Sequence, residues 1–276
     1  MSLAAAFTPE KPLVLVGAGK MGTAMLRGWL DNGLDRRAVV VIDPKPPADS
    51  AAFLAAAGVR DLPSPPAGVT AKMIVVAVKP QIIADVLPGL RSLVGRSTVT
   101  LSVAAGTTLA SLAEGIGEGA IVRTIPNTPA QVGRGITAAI ANDRVSKPGR
   151  KLVTQLLEAV GEVVWVDDED HINAVTAVSG SGPAYVFLMA ECLAEAAMAA
   201  GLDAESAAKL ARATVTGAGE LLHQSDLPAE QLRKNVTSPK GTTEAALKVL
   251  MAKNGLAPLM KKAVAAAQKR SRELSG

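Results

Sequence analysis

The sequence predicts an α/β fold: a doubly wound parallel sheet in the N-terminal part, followed by an all-helical C-terminal part. Three observations carry this. Short apolar runs rich in Val, Ile and Leu alternate with helical patterns as far as about residue 166, as buried parallel strands and their crossovers do. A glycine loop, Gly17-Ala18-Gly19-Lys20-Met21-Gly22, joins the first apolar run to the first helical pattern. Beyond the acidic turn Asp167-Asp168-Glu169-Asp170 the chain reads as one helix after another.

Taken in order, residues 13–17 read as a buried strand and residues 20–32 as a helix ending near Gly33. Val39-Val40-Val41-Ile42 is a second strand, and residues 53–57 look helical with Gly58 as the stop. Two proline-rich stretches, 44–47 and 63–66, read as loops. Strands follow at 73–78, 98–103 and 120–125, with helical patterns near 81–93 and 109–114 between them. Residues 136–141 form a further strand, 147–160 a helix and 163–166 a last strand. Helices are then expected at about 172–200, 204–223, 228–235 and 242–253, and from about Leu256 onward. The expected domain boundary lies near 168, dividing residues 1–168 from 169–276. The first dozen residues read as a disordered extension.

A chain of 276 residues has room for roughly two domains. Apolar residues make up 49% and aromatics only 2%, so Ala, Val and Leu must fill the core. So few aromatics argue against a base-stacking platform for nucleic acid. The net charge is a modest +4. The one basic cluster, Lys261, Lys262, Lys269, Arg270 and Arg272, reads as a solvated helix face rather than a membrane or nucleic-acid site. Cys192 is the only cysteine, which excludes an internal disulfide and fits a reducing compartment. Its apolar neighbours suggest a buried, inert thiol. No secretory signal is visible, and the most apolar stretch, 184–200, is interrupted by Glu191 and Glu195. The expectation is a cytoplasmic protein.

The loop Gly17-Ala18-Gly19-Lys20-Met21-Gly22 fits G-x-G-x-x-G between a strand and a helix. The first glycine permits the tight turn, the second lets a pyrophosphate approach the backbone, and the third allows close helix–strand packing. The helix start adds free N–H groups and a positive dipole end. Residues 1–168 are therefore expected to be a Rossmann-like dinucleotide-binding domain. Asp43 ends the next strand, where a carboxylate bonds a ribose 2′-hydroxyl and repels a 2′-phosphate. Lys45 stands close enough to reverse that preference, and Asp43 also suits a plain turn before Pro44, so the cofactor stays open as NADPH or NADH. Ala77-Val78-Lys79-Pro80 ends another strand, and Val103-Ala104-Ala105 ends the one after it with small residues. Small side chains there admit a nicotinamide ring close to the backbone; a tight strand-to-helix turn explains them equally well.

The chain lacks other machinery. His171 and His223 stand in no metal-ligand spacing, so no metal site is expected. There is no nucleophile elbow and no Cys/His pair. Reduction of an activated double bond, such as an imine, needs neither. The nicotinamide supplies hydride, and the protein supplies orientation, a dry site and one proton.

Three segments sharpen this reading. Arg123-Thr124-Ile125-Pro126-Asn127-Thr128-Pro129 ends a strand in a polar turn. Ser179-Gly180-Ser181-Gly182-Pro183-Ala184-Tyr185 puts small residues inside a helical pattern, permitting close backbone approach or a kink. Thr237-Ser238-Pro239-Lys240-Gly241-Thr242-Thr243 gathers hydroxyls and a glycine before a helix start, an anion nest.

With the glycine loop, Ala77-Val78-Lys79-Pro80-Gln81 and Ala104-Ala105-Gly106, these segments give a chain that resembles pyrroline-5-carboxylate reductases over nearly its whole length after about residue 12. The resemblance implies reduction of 1-pyrroline-5-carboxylate to L-proline with NADPH or NADH. It also implies that residues 169–276 are a helical dimerisation and substrate domain that interlocks with a second subunit, within a homodimer or a ring of dimers. By the same resemblance the substrate carboxylate falls to Ser238, Gly241, Thr242 and Thr243. Thr243 is then the catalytic residue, as hydrogen-bond partner of the ring nitrogen. The cofactor falls to residues 17–22, Asp43, Lys45, residues 77–80, residues 103–105 and Asn127. Two positions depart from the family pattern. Lys240 stands where glycine is usual, which adds a cation or changes the loop shape. Asn173 stands where aspartate is common, which puts the polar contacts of its helix in question. The alternatives are a related imine reductase or a 3-hydroxyacid dehydrogenase. The latter needs a helix lysine that is absent from residues 179–185. A nucleotide-sensing module without turnover is the alternative of another class.

Overall fold

The computed structural model describes residues 3–275. By proximity the chain divides into two compact units: one runs up to Gly180 and takes in the chain from Gln268 onward, and the other is Ser181–Ala267.

The first unit is built on an eight-stranded sheet. Its strands are β1 (Leu13–Val16), β2 (Val39–Ile42), β3 (Arg60–Leu62), β4 (Met73–Val76), β5 (Val99–Ser102), β6 (Ala120–Ile125), β7 (Gly135–Ala141) and β8 (Gly161–Trp165). They lie in the order β3-β2-β1-β4-β5-β6-β7-β8. The order reverses direction at β1, between β2 and β4, which makes the β1/β4 junction the switch point where such sheets bind ligands. Five helices belong to the sheet: α1 (Lys20–Asp31), α2 (Ala48–Ala57), α3 (Ile83–Leu90), α4 (Leu109–Ile116) and α5 (Lys147–Glu158).

The central strands are buried on both faces, and their alternation splits the core in two. Leu13, Leu15, Val39 and Val41 pack with Trp29, Leu54 and Leu156 on the face of α1, α2 and α5. Val14, Val16, Ile74 and Val76 pack with Leu87, Leu90, Leu112 and Ile116 on the face of α3 and α4. Trp29 is fully buried, and its indole N–H donates to the Leu156 carbonyl oxygen at 2.8 Å, tying α1 to α5.

Three features differ from the sequence expectation. The sheet is not wholly parallel: β6 and β7 pair antiparallel, because the segment between them is too short for a crossover. Strand β3 was not foreseen; it is a three-residue edge strand whose Arg60 and Asp61 are exposed. The N-terminal extension is ordered from residue 3 on: Leu3, Ala6 and Phe7 are buried in the core, and Thr8 and Lys11 form an isolated bridge. Burial of these three apolar side chains holds the segment to the core.

After β8 come α6 (Asp170–Val175), a π-helical turn (Thr176–Gly180), α7 (Gly182–Ala199), α8 (Ala204–Gln224), α9 (Ala229–Asn235), α10 (Thr242–Leu250) and α11 (Leu256–Ser275). The expected single helix over 172–200 is thus interrupted at the small-residue patch. Within the second unit α7 and α8 pack along each other, and the only fully buried side chains are Ala207 and Ala211. Phe187, Leu188, Met189, Leu210 and Leu221 are exposed. Cys192 is exposed as well, contrary to the buried thiol expected; its neighbours are apolar, but among the described residues nothing covers it. The helical stretch 170–199 is long and apolar enough to cross a membrane by length and composition alone.

Replacing Trp29 by alanine removes both a filled core volume and the α1–α5 hydrogen bond. The expected cost is about 3–5 kcal/mol, read as a lowered denaturation midpoint at fixed protein concentration.

Candidate active site

Strand β1 runs into Gly17, whose φ is +96° and whose N–H donates to the Ile42 carbonyl at 2.9 Å. A Cβ on Gly17 would stand 2.8 Å from the Ala77 carbonyl oxygen, and one on Gly22 would stand 2.2 Å from the Gly17 carbonyl oxygen. These two glycines are required by the packing of the turn against β4 and α1. Gly19 is different. A Cβ there would meet nothing within 4 Å, and as N-cap of α1 it carries no side chain to cap the helix. The start of α1 therefore has open space beside Gly19 and no side-chain cap, with the positive end of the helix dipole behind it. Ala18 and Gly22 are buried, Met21 is half-buried against the core and Lys20 is exposed.

Asp43 follows β2 and braces this loop. Its Oδ2 accepts the Ala18 N–H at 2.7 Å, and its Oδ1 accepts the Lys45 N–H at 2.9 Å. Each oxygen keeps a second lone pair, and the Lys45 side chain is exposed. The next strand ends step across the sheet: the Ala77 N–H donates to Val16 at 2.7 Å and the Val103 N–H to Val76 at 3.0 Å. Val78 and Lys79 lead to a 3-10 turn opened by Pro80. Ala104 is buried and Ala105 exposed. Asn127, beyond β6, is buried, and its Oδ1 accepts the Ile136 N–H at 3.0 Å. The residues expected at the cofactor thus lie along one edge, at the C-terminal ends of β2, β1, β4, β5 and β6.

The structure adds a pair that the sequence reading missed. Arg123, inside β6, is 2% exposed, and its Nη1 lies 2.6 Å from Glu169 Oε1. The same Oε1 accepts the Leu109 N–H at 2.8 Å, at the start of α4. The Arg123 Nε is buried without a hydrogen-bond partner among the described residues. The signal in the sequence was one charge inside an otherwise uncharged strand. Next to Glu169, the Arg272 guanidinium and the Asn173 amide hydrogen-bond Asp170 and lower its carboxyl to about 2. Asn173 also accepts from the Ser271 hydroxyl at 2.8 Å, so its helix has its polar contacts without the usual aspartate. The π turn packs beside β6: Ala177 is fully buried, and a Cβ on Gly180 would lie 3.7 Å from Ile125 Cγ2. Among the described residues no group of three or more His, Cys, Asp or Glu could hold a metal ion.

The anion loop lies in the second unit. The Thr237 hydroxyl is turned back to the Arg233 carbonyl at 2.6 Å. Ser238-Pro239-Lys240-Gly241 closes a turn, with the Gly241 N–H donating to the Ser238 carbonyl at 3.0 Å. Positive φ at the third residue is what a type II turn requires, and proline is common at the second. Lys240 has φ +60°, the only non-glycine residue of positive φ among those described. The lysine therefore keeps the loop shape that a glycine would give, at a cost of about 1–2 kcal/mol. Its N–H donates to Glu244 Oε2 at 2.9 Å. Gly241 is the N-cap of α10 and offers no side-chain cap, so the first N–H groups of α10, at Thr242 and Thr243 among them, have no cap from its side chain. Ser238 and Thr242 are exposed; Gly241 and Thr243 are half-buried.

Residues 169–274 match the family described as pyrroline-5-carboxylate reductase dimerisation, and residues 12–106 match that described as NADP oxidoreductase, coenzyme F420-dependent. The pyrroline-5-carboxylate reductase of Pseudomonas aeruginosa is 38% identical over 266 residues, 95% of this chain and 96% of that one. The chain belongs to the pyrroline-5-carboxylate reductase family. The family's enzyme from Pisum sativum is 38% identical over 264 residues, 95% of this chain and 96% of its own. The solved structure of the Coxiella burnetii pyrroline-5-carboxylate reductase superposes with a TM-score of 0.88 at 36% identity, covering 97% of this chain and 99% of that one. A Plasmodium falciparum pyrroline carboxylate reductase solved with NADP bound gives a TM-score of 0.78 at 29% identity, covering 98% of this chain and 100% of that one. The stretch 170–199, apolar and largely unburied, falls wholly within the dimerisation match.

The two kinds of glycine are separable by experiment. Gly22→Ala is expected to destabilise by about 3 kcal/mol through overpacking, seen in chemical denaturation. Gly19→Val is expected to leave stability unchanged but weaken nucleotide binding by about tenfold or more (~1.4 kcal/mol), seen by calorimetry. Lys240→Gly is expected to raise stability by about 1 kcal/mol as the left-handed strain is relieved, seen as a higher denaturation midpoint.

Proposed function

We propose that this chain reduces 1-pyrroline-5-carboxylate to L-proline with NADPH or NADH. The observation that carries the reading is the open, uncapped start of α1 at the sheet's switch point, in a chain that also presents a second uncapped helix start at Gly241. The first suits a pyrophosphate and the second a carboxylate.

The residues present fit the cofactor. Space stands where a Gly19 side chain would project, and the first turn of α1 offers N–H groups there. Residues 17–22 would hold the pyrophosphate. Asp43 and Lys45 would face the ribose, residues 77–80 and 103–105 would bear on the nicotinamide half, and Asn127 would close the edge. When bound, the dihydronicotinamide supplies a hydride to the ring carbon of the C=N bond. The chain's own part is to orient the imine, exclude water and deliver one proton to the ring nitrogen. Ser238, Gly241, Thr242 and Thr243 hold the carboxylate by backbone N–H groups and hydroxyls at the start of α10. The Thr243 hydroxyl hydrogen-bonds the ring nitrogen; a threonine is too weak an acid to be a proton source, so it relays a proton from water to a neutral imine, whereas an imine that arrives protonated needs no transfer.

Residues 1–168 act as the dinucleotide-binding domain, and residues 169–276 as the dimerisation and substrate domain. The exposed apolar faces of α7 and α8 support a homodimer, with a ring of dimers as the larger assembly, working in the cytoplasm. A 3-hydroxyacid dehydrogenase is not favoured: no lysine occurs in residues 179–185.

The test is oxidation of NADPH and NADH with 1-pyrroline-5-carboxylate, with L-proline assayed as product. Turnover is expected, and its absence in folded, nucleotide-binding protein would sink the reading. Thr243→Ala is expected to lower kcat/KM by about a hundredfold while nucleotide affinity stays near that of the parent.

A further inference from the structure

The loop between β5 and α4, residues 103–108, carries Ala104 and Ala105 on the cofactor edge. On its inner side the sheet holds it: the Val103 N–H bonds Val76, and the Ala104 N–H reaches Ser102 Oγ at 3.3 Å. On its outer side two distant stretches of chain meet over it. One is the start of α6, where Glu169 Oε1 accepts the Leu109 N–H while paired with buried Arg123. The other is the last turn of α11. A Cβ on Gly106 would stand 3.0 Å from the Leu274 carbonyl oxygen, so a side chain there would press directly on that turn.

The two stretches are fastened to each other. Arg272 forms a fork on Asp170, Nε to Oδ1 at 3.1 Å and Nη2 to Oδ2 at 2.8 Å. The Ser271 hydroxyl donates to Asn173 Oδ1 at 2.8 Å, and Asn173 Nδ2 donates to Asp170 Oδ1 at 3.1 Å. A fork of two parallel bonds fixes direction as well as distance. This turn is tied down against the loop on which the nicotinamide half of a cofactor would lie.

We propose that the last turn of α11, residues 271–274, fastened to Asp170 and Asn173, is a positioning element that sets the cofactor loop 103–108 for hydride transfer. The inference rests on the dinucleotide reading given above. Misplacement of a reacting group by about 1 Å costs on the order of a hundredfold in rate; Val103 and Ala104 pack on the core, but Ala105 is exposed and Gly106 has no side chain, so the middle of the loop has no such anchor of its own. The clasp supplies that constraint from outside, with Arg123 and Glu169 holding the loop's far end.

The test uses the full protein in its native assembly and three variants: Arg272→Ala, Arg272→Lys, and a chain ending at Arg270. Amide hydrogen exchange over residues 103–109 is measured without cofactor, and NADP+ and NADH affinities by calorimetry. With 1-pyrroline-5-carboxylate, kcat, both KM values and the isotope effect from C4-deuterated cofactor are measured. In the shortened chain, exchange over 103–109 is expected to rise about tenfold with other segments unchanged, and the dissociation constant of the cofactor to rise about tenfold (~1.4 kcal/mol). The KM for the imine should stay the same while kcat falls and the isotope effect changes. Arg272→Ala should show the same pattern more weakly, and Arg272→Lys should recover much of the parent's behaviour. Unchanged loop exchange and cofactor affinity in a folded variant would overturn the proposal. So would a rise in exchange spread over the whole first unit, which would make the turn a plain anchor. Should the shortened chain fail to fold, Arg272→Ala decides alone. Absence of imine turnover in the parent would count against the proposed function instead, since the exchange and affinity readouts do not need the imine.

Discussion

The geometry of the sheet edge depends on one close approach. The turn after β1 lies so near both β4 and α1 that neither Gly17 nor Gly22 has room for a Cβ. That approach fixes where α1 begins, and therefore where its unsatisfied N–H groups point. Asp43 holds the same turn from the other side through the Ala18 N–H. Any side chain that levered this turn away from Ala77 would move the helix start, the brace and the neighbouring strand end together.

Around that fixed point the chain uses charge sparingly and locally. Arg123 is buried in β6 and paired to one carboxylate oxygen, which it shares with a backbone N–H. Breaking such a pair by removing one partner is costly, on the order of 3–5 kcal/mol, because a buried charge is left without compensation. The pair therefore ties β6, the start of α4 and the start of α6 to one another. Asp170 and Arg272 do similar work at the surface, where their hydrogen-bond geometry matters more than their Coulomb attraction.

Much of this was legible in the sequence, for physical reasons that differ by element. The central strands could be read because burial on both faces leaves an unbroken apolar run, as in Val39-Val40-Val41-Ile42. The glycine loop could be read because its spacing is imposed by steric contact. Strand β3 could not, because Arg60 and Asp61 face solvent at an edge and carry no strand pattern. The reversal of β7 was hidden in the length of a connection rather than in residue type. Lys240 illustrates the limit from the other side: the family pattern identifies the position as one for glycine, but only the backbone angle tells that the lysine has kept the turn. Glu169 looked like one of four acidic turn residues, and nothing in the sequence marks which of the four meets Arg123. Cys192 misled because apolar neighbours predict burial only when something covers the face they share.

That uncovered face has a wider meaning. In the second unit only Ala207 and Ala211 are fully buried, while Phe187, Leu188 and Leu221 stand open to solvent. A set of helices with so little interior of its own cannot draw its stability from within one chain. Its apolar contacts belong to the association, and their free energy enters with protein concentration. For such a segment dilution does what heat or urea does to a monomer, and the concentration of the protein becomes a variable of its folding.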